Sequence, residues 1–219
     1  MTSPFDQSAY QVRVEWGVEG LARLAPADVI VVVDVLRFSS SLVDAVPDRP
    51  VSLAEAQAWS LNGAAVAAAA SAEADVTVLV GSLRNASAVA EAILQLQEQR
   101  QRRTFVSVIA AGERTAEGTL RFAVEDQLGV GAIVAALVDR GIDHTAPEAA
   151  VAAEAFRGLR RGVRHLLSGS GSGRELAERD PASAPLAAAG ITPVTAREAA
   201  VIDDSAVVPV LRGGAFEVL

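Results

Sequence analysis

Three groups of polar residues in this chain each follow an apolar run, and each has the composition of an anion or cation site. The first is Asp34-Val35-Leu36-Arg37, followed by Ser39-Ser40-Ser41, directly after the run Val29 to Val33. An aspartate at the end of a buried strand can ligate Mg²⁺. An arginine three residues on can clamp a phosphate or sulfonate, and serines that open a helix add hydroxyl and backbone N–H donors. The same residues also suit a buried Asp34–Arg37 ion pair with a serine that only caps the helix. The second group, Gly81-Ser82-Leu83-Arg84-Asn85, combines a glycine that admits close backbone approach with two side chains before a helix. That pattern fits an anion and an ordinary N-cap equally in kind. The third runs from Gly112-Glu113-Arg114 to Glu125-Asp126. Adjacent carboxylates in a first helical turn stay ionised and open to a hard cation, although they also stabilise a helix without any ligand. His144 and His165 lie outside these groups and read as packing or surface residues.

Composition narrows the chemistry. The 219 residues contain no cysteine, which excludes disulfides, thiolate metal sites and a cysteine nucleophile. All 19 basic residues are arginine, so a P-loop lysine and a lysine Schiff base are excluded too. A formal net charge of −8 argues against a nucleic-acid partner. Residues Met1 to Tyr10 lack the pattern of a signal peptide, and no apolar run approaches the ~20 residues of a membrane span. A soluble, cytoplasmic domain is the expectation, with no membrane partner.

The elements that must position these groups alternate in kind. Val12, Val14 and Trp16 share one face of a half-buried strand, which Gly17 and Gly20 are expected to break. Val29 to Val33, Val76 to Val80 and Phe105 to Ala110 are runs suited to strands covered on both faces. Between and after them, helices are expected over Ser39–Val46, Leu53–Trp59, the alanine-rich stretch to Ala70, Ala86–Gln101, Val124–Arg140 and Pro147–Leu167. Gly112 to Arg121 reads as a polar loop, Ser168 to Gly173 as a flexible turn and Ala182 to Thr195 as loose chain, with a last strand over Val207–Leu211. Gly129 and Gly131, inside a helical pattern, imply a close packing contact or a ligand. This alternation predicts one α/β domain spanning residues 1–219, with three α/β/α layers around a mixed sheet.

An aspartate after an apolar strand also opens the haloacid-dehalogenase pattern. That pattern needs a second aspartate two residues later, where this chain has Leu36, and usually a lysine, which it lacks. The chain instead resembles the 2-phosphosulfolactate phosphatase family of coenzyme M biosynthesis. The matching pieces, in order, are Val32 to Ser39, Asn62-Gly63 with its alanine-rich helix, Gly81 to Asn85 with Ala88-Val89-Ala90, and Ala110 to Arg114 leading to Glu125-Asp126 and Gly129. Ser170 to Leu176 and Val208 to Leu211 are similar to bacterial members. One stretch departs: from Phe38 to Leu61 the chain is shorter than the family pattern and lacks its Gly-Glu-Arg-type loop and Asn-Ser-Pro-type turn.

The resemblance implies a Mg²⁺-dependent phosphatase acting on 2-phosphosulfolactate or a similar small anionic organic phosphate. It implies Asp34, Arg37, Glu113 and Arg114 as catalytic residues, and Ser39, Asn62, Gly63, Ser82, Asn85 and Gly112 around the substrate. Asp34, Glu125 and Asp126 would be the metal carboxylates, and a homodimer is an admissible assembly. The shortened stretch leaves a second expectation, a catalytically impaired member that binds a phosphorylated or sulfonated metabolite.

Overall fold

The computed structural model describes residues 3–60, 62–178 and 183–219. The chain enters its sheet through β1 (Val12–Trp16), turns into α1 (Gly17–Arg23) and returns as β2 (Val29–Val33). After α2 (Phe38–Ala45) come the two-residue strand β3 (Val51–Ser52), α3 (Leu53–Gln57), α4 (Gly63–Ser71) and β4 (Thr77–Gly81). Helix α5 (Ala86–Arg100) leads to β5 (Val106–Ala110), and a small hairpin of β6 (Glu113–Arg114) and β7 (Leu120–Arg121) precedes α6 (Val124–Val138). Next are α7 (Pro147–Leu159), α8 (Val163–Gly169), α9 (Gly171–Glu178), α10 (Ser183–Ala188) and α11 (Ala196–Ala199). The hairpin of β8 (Pro209–Arg212) and β9 (Ala215–Val218) closes the chain.

The sheet order is β1-β5-β2-β4-β8-β9-β3. Its first four strands are parallel, and β8, β9 and β3 add antiparallel neighbours, so the sheet is mixed as the alternation predicts. Strand β2 explains the layering. Val29, Val31 and Val33 point into one core with α5, α6 and α7, while Ile30 and Val32 point into another with α2 and α4. Each such fully buried side chain contributes about 1.5–3 kcal/mol, and a β-branched run covered on both faces has no competing solvent-facing register. The result is a three-layer α/β fold. Among the described residues, no helix is long and apolar enough to cross a membrane.

Register sets the site. Val33 lies opposite Gly81 on one side and Ala110 on the other. Asp34, Ser82 and Ala111 therefore leave the sheet at one level, on the rim where parallel strands end.

Several local expectations change. Gly17 does end the strand, as expected, but it also starts α1, using a left-handed φ of +64°, and Gly20 lies within that helix. The polar loop after Gly112 contains the β6–β7 hairpin, with Glu113 opposite Arg121. The expected helix Pro147–Leu167 divides at a 3₁₀ turn, Arg160–Gly162, and the expected Gly/Ser turn is the junction of α8 with α9. The start of the expected loose stretch, Ala182, lies outside the described residues; Ser183–Ala188 is helical, and residues 191–195 carry no regular element, as expected. Gly129 and Gly131 serve packing. A Cβ on Gly129 would lie 2.6 Å from Val35 Cγ2, and one on Gly131 would lie 2.2 Å from the Ala152 carbonyl oxygen of α7.

Candidate active site

The turn after β2 is held from both ends. Ser39 donates its backbone N–H to the Asp34 carbonyl at 2.8 Å, and its Oγ accepts the Asp34 N–H at 2.9 Å. Ser40 Oγ donates to the Val35 carbonyl at 2.8 Å. The Leu36–Arg37 peptide within this turn is cis. Ser39 is fully buried, so the structure uses it to shape the turn and not to face a ligand.

Asp34 projects toward the start of α4. Its Oδ2 accepts the Gly63 N–H at 3.0 Å. Only glycine admits this approach: a Cβ at residue 63 would lie 2.7 Å from that oxygen and 2.6 Å from the Phe38 ring. Burial raises the Asp34 pKa to about 7, against the Gly63 and Phe38 N–H groups that favour its charge, with Glu113 and Glu125 raising it further.

Behind Asp34, α6 presents Glu125 and Asp126, both buried. Asp126 is a brace between two loops. Its Oδ1 accepts the Val35 N–H at 2.7 Å and its Oδ2 accepts the Gly112 N–H at 2.9 Å. Gly112 adopts a φ of +68°, and a Cβ there would meet Leu120 Cδ1 at 2.7 Å, which ties this residue to the hairpin. Burial, then Asp34 and Glu125, push the Asp126 pKa well up despite its two N–H donors. With both oxygens engaged by backbone, Asp126 is not arranged as the third ligand of an Asp34–Glu125–Asp126 triad. Among the described residues, no three acidic or histidine side chains are placed to hold a metal ion.

Four of the expected residues do converge. Asp34, Arg37, Asn62 and Glu113 line one cleft of about 450 Å³. Asn62 Nδ2 donates to Glu113 Oε1 at 3.1 Å, and the Arg114 N–H donates to the same oxygen at 2.9 Å. Asn62 Oδ1 is left buried without a partner. An unpaired amide oxygen beside Asp34 and Glu113 is a hard-oxygen donor set, and Mg²⁺ typically takes one or two carboxylates with the rest from water and substrate oxygens. The cleft residues therefore fit a hard dication, through Asp34, Glu113 and Asn62.

Other expected residues lie elsewhere. Arg114 points around the corner into a small cavity with Asn62, Val18 and Glu19. Ser82 and Asn85 form a closed knot. Asn85 Oδ1 accepts from Ser82 N at 2.8 Å, while its Nδ2 donates to the Val80 and Val207 carbonyls at 3.2 and 2.9 Å. Both residues are fully buried, and the knot, which makes no side-chain cap on α5, joins the chain near β8 to the end of β4.

The sequence reading missed the far wall of the cleft. Trp59 and Ser60 line it from one side, and Ser172, Glu175 and Leu176 of α9 from another. Ser172 Oγ stands 3.5 Å from Glu113 Oε2. The signal was present in the Ser170 to Leu176 motif, but glycines on either side of Ser172 suggested a loop.

A strand-end cleft with hard-oxygen donors and an arginine, on a three-layer mixed sheet, has the form of a small-molecule hydrolase site. The family model of 2-phosphosulpholactate phosphatase matches residues 54–187. The chain belongs to the 2-phosphosulpholactate phosphatase family. The matched residues include Asn62, Glu113, Glu125, Asp126 and Ser172 and begin after the Asp34–Arg37 turn. No curated protein matches the chain.

Proposed function

We propose that the protein is a Mg²⁺-dependent phosphoric monoester hydrolase that converts 2-phosphosulfolactate, or a similar small anionic organic phosphate, to sulfolactate and phosphate. The family match over residues 54–187 carries this reading. The cleft supports it independently, because three carboxylates, Asp34, Glu113 and Glu175, line it with Arg37. A substrate with several negative charges meets net repulsion there unless a cation screens it.

Asp34, Glu113 and the Asn62 amide oxygen would hold the ion, with Glu125 acting on Asp34 through its charge. When bound, Mg²⁺ supplies Lewis acidity at the phosphoryl group and acidifies a water. Arg37 presents a guanidinium fork to the phosphoryl oxygens. Asp34, whose pKa lies near 7 in the absence of metal, can hold or release a proton at Oδ1 or Oδ2 near neutral pH. The Gly63 N–H holds that carboxyl and Ser39 Oγ holds the Asp34 backbone N–H, while Phe38 and Trp59, with ring centroids 5.8 Å apart, form an apolar part of the cleft lining.

The test is phosphate release from racemic phosphosulfolactate by purified protein, with Mg²⁺ and with chelator. We expect release with the metal and its loss on chelation; no metal-dependent release at any pH overturns the proposal. A second reading, a binding protein without turnover, has one observation in its favour: the matched residues start at 54, beyond the Asp34–Arg37 turn. Thermal stabilisation by sulfolactate or phosphosulfolactate without phosphate release would select it.

A further inference from the structure

The cleft does not end at Glu113. A second cavity, of about 550 Å³, shares Glu113, Ser172 and Glu175 with the first and adds Arg121 and Arg174. Arg121 stands directly opposite Glu113 in the β6–β7 hairpin, so both side chains leave the same face of that ribbon, toward α9. The two nevertheless do not pair. Among the described residues, neither Arg121 nor Arg174 forms an ion pair, whereas eight other arginines do.

A Cβ on Gly171 would lie 3.1 Å from Arg121 Nη1 and 3.5 Å from Nη2, so the exposed guanidinium lies beside the Gly171 backbone and would have to shift to admit a methyl group. Glu175 and Glu178 line the same cavity, which limits general attraction of anions and leaves recognition to the two guanidinium forks.

We propose that Arg121 and Arg174 form a specificity subsite for the acid group of the substrate that does not react, a sulfonate or carboxylate a few bonds from the phosphate ester. Asp34 and Arg37 line one cavity and the two arginines the other, and Glu113, Ser172 and Glu175 line both. The two cavities together therefore select phosphate esters that carry a second strong acid over simple phosphomonoesters. The proposal rests on the phosphatase reading for its catalytic form and on the two cavities alone for its binding form.

The experiment compares wild type with Arg121→Gln, Arg174→Gln and Gly171→Ala on phosphosulfolactate and on phenyl phosphate. Loss of a charge-assisted hydrogen bond should lower kcat/KM for phosphosulfolactate roughly 10- to 100-fold in the arginine variants, mainly through KM. The loss on phenyl phosphate should be at least about tenfold smaller. Gly171→Ala keeps the charge but displaces the guanidinium, and should shift the same ratio in the same direction. Equal losses on both substrates, or none on phosphosulfolactate, overturn the subsite. Circular dichroism monitors folding; if Arg121→Gln does not fold, Arg121→Lys and Gly171→Ala carry the comparison. If wild type releases no phosphate, the phosphatase reading alone has failed, and calorimetry with sulfolactate decides the subsite. Binding weakened at least about tenfold in the variants supports it, and equal binding or none to wild type overturns it.

Discussion

Replacing Asp126 with asparagine separates a structural brace from a metal ligand. In the native protein one carboxylate joins the turn after β2 to the turn after β5, accepting Val35 N–H at 2.7 Å and Gly112 N–H at 2.9 Å. Asparagine has the same shape but only one acceptor oxygen. Whichever way the amide turns, one buried N–H meets an NH₂ group and loses its partner. An unmet buried donor costs about 1–3 kcal/mol, so the substitution should destabilise the protein by up to about 3 kcal/mol. Urea denaturation in chelator reads this directly as a lower midpoint with an unchanged slope. Amide exchange at Val35 and Gly112 should accelerate by about two orders of magnitude at the same time. A variant within about 0.5 kcal/mol of wild type in chelator, with both amides still protected, would refute the brace.

Two further outcomes follow from neighbouring geometry. Gly63→Ala places a methyl 2.6 Å from the Phe38 ring and 2.7 Å from Asp34 Oδ2. The overlap should cost about 1–3 kcal/mol in a thermal or chemical melt, and a variant as stable as wild type would show that the turn can yield. For Asp34, the pKa is raised on folding from 3.8 to about 7. The native state then binds more protons than the unfolded chain between these values, so the Asp34 contribution to metal-free stability should fall as pH rises from about 4 to about 7 and level off above. A shift of this size carries roughly 4 kcal/mol at most. Asp34→Asn should flatten that slope and abolish turnover while the far-UV spectrum stays native; an unchanged slope or an active variant would contradict the assignment.

The parts of the fold legible in the sequence are those where packing leaves one choice. Val29–Val33 is a strand because five consecutive apolar, β-branched residues fit only a position covered on both faces, and the structure buries all five. Elements whose stability comes from neighbours are harder to read. Helix α1 begins on a glycine that looks like a breaker, and β6 and β7 are two residues each, too short to show periodicity. Helix α9 hides in Gly171-Ser172-Gly173, where Gly173 is small because a Cβ would lie 2.0 Å from the Leu167 carbonyl of α8. The closing hairpin had a readable signal that went unused: Gly213-Gly214, both with positive φ, is a two-residue turn between alternating strands.

The site divides along the same line. Asp34, Arg37, Asn62 and Glu113 meet because three strand ends are level and Asn62 starts the helix beside them. Ser82 and Asn85 have the right types at the same rim, but three residues suffice for them to satisfy one another, so they close on themselves. Spacing alone does not distinguish these outcomes. Ser172 and Glu175 arrive from far along the chain, and only tertiary structure brings them to Glu113.

Helix α6 has twelve of its fifteen residues buried, with Gly129 against the sheet and Gly131 against α7. Neither contact has room for a methyl group, so the helix cannot slide or rotate, and the carboxylates of Glu125 and Asp126 are anchored to the least adjustable part of the molecule. The opposite wall, made by the exposed β6–β7 hairpin and α9, is less constrained once Glu113 and Gly173 are kept. Divergence among proteins built on this plan should therefore be uneven: a conserved acidic floor inherited with the core, and a rim on which new substrate preferences can arise without refolding what lies beneath.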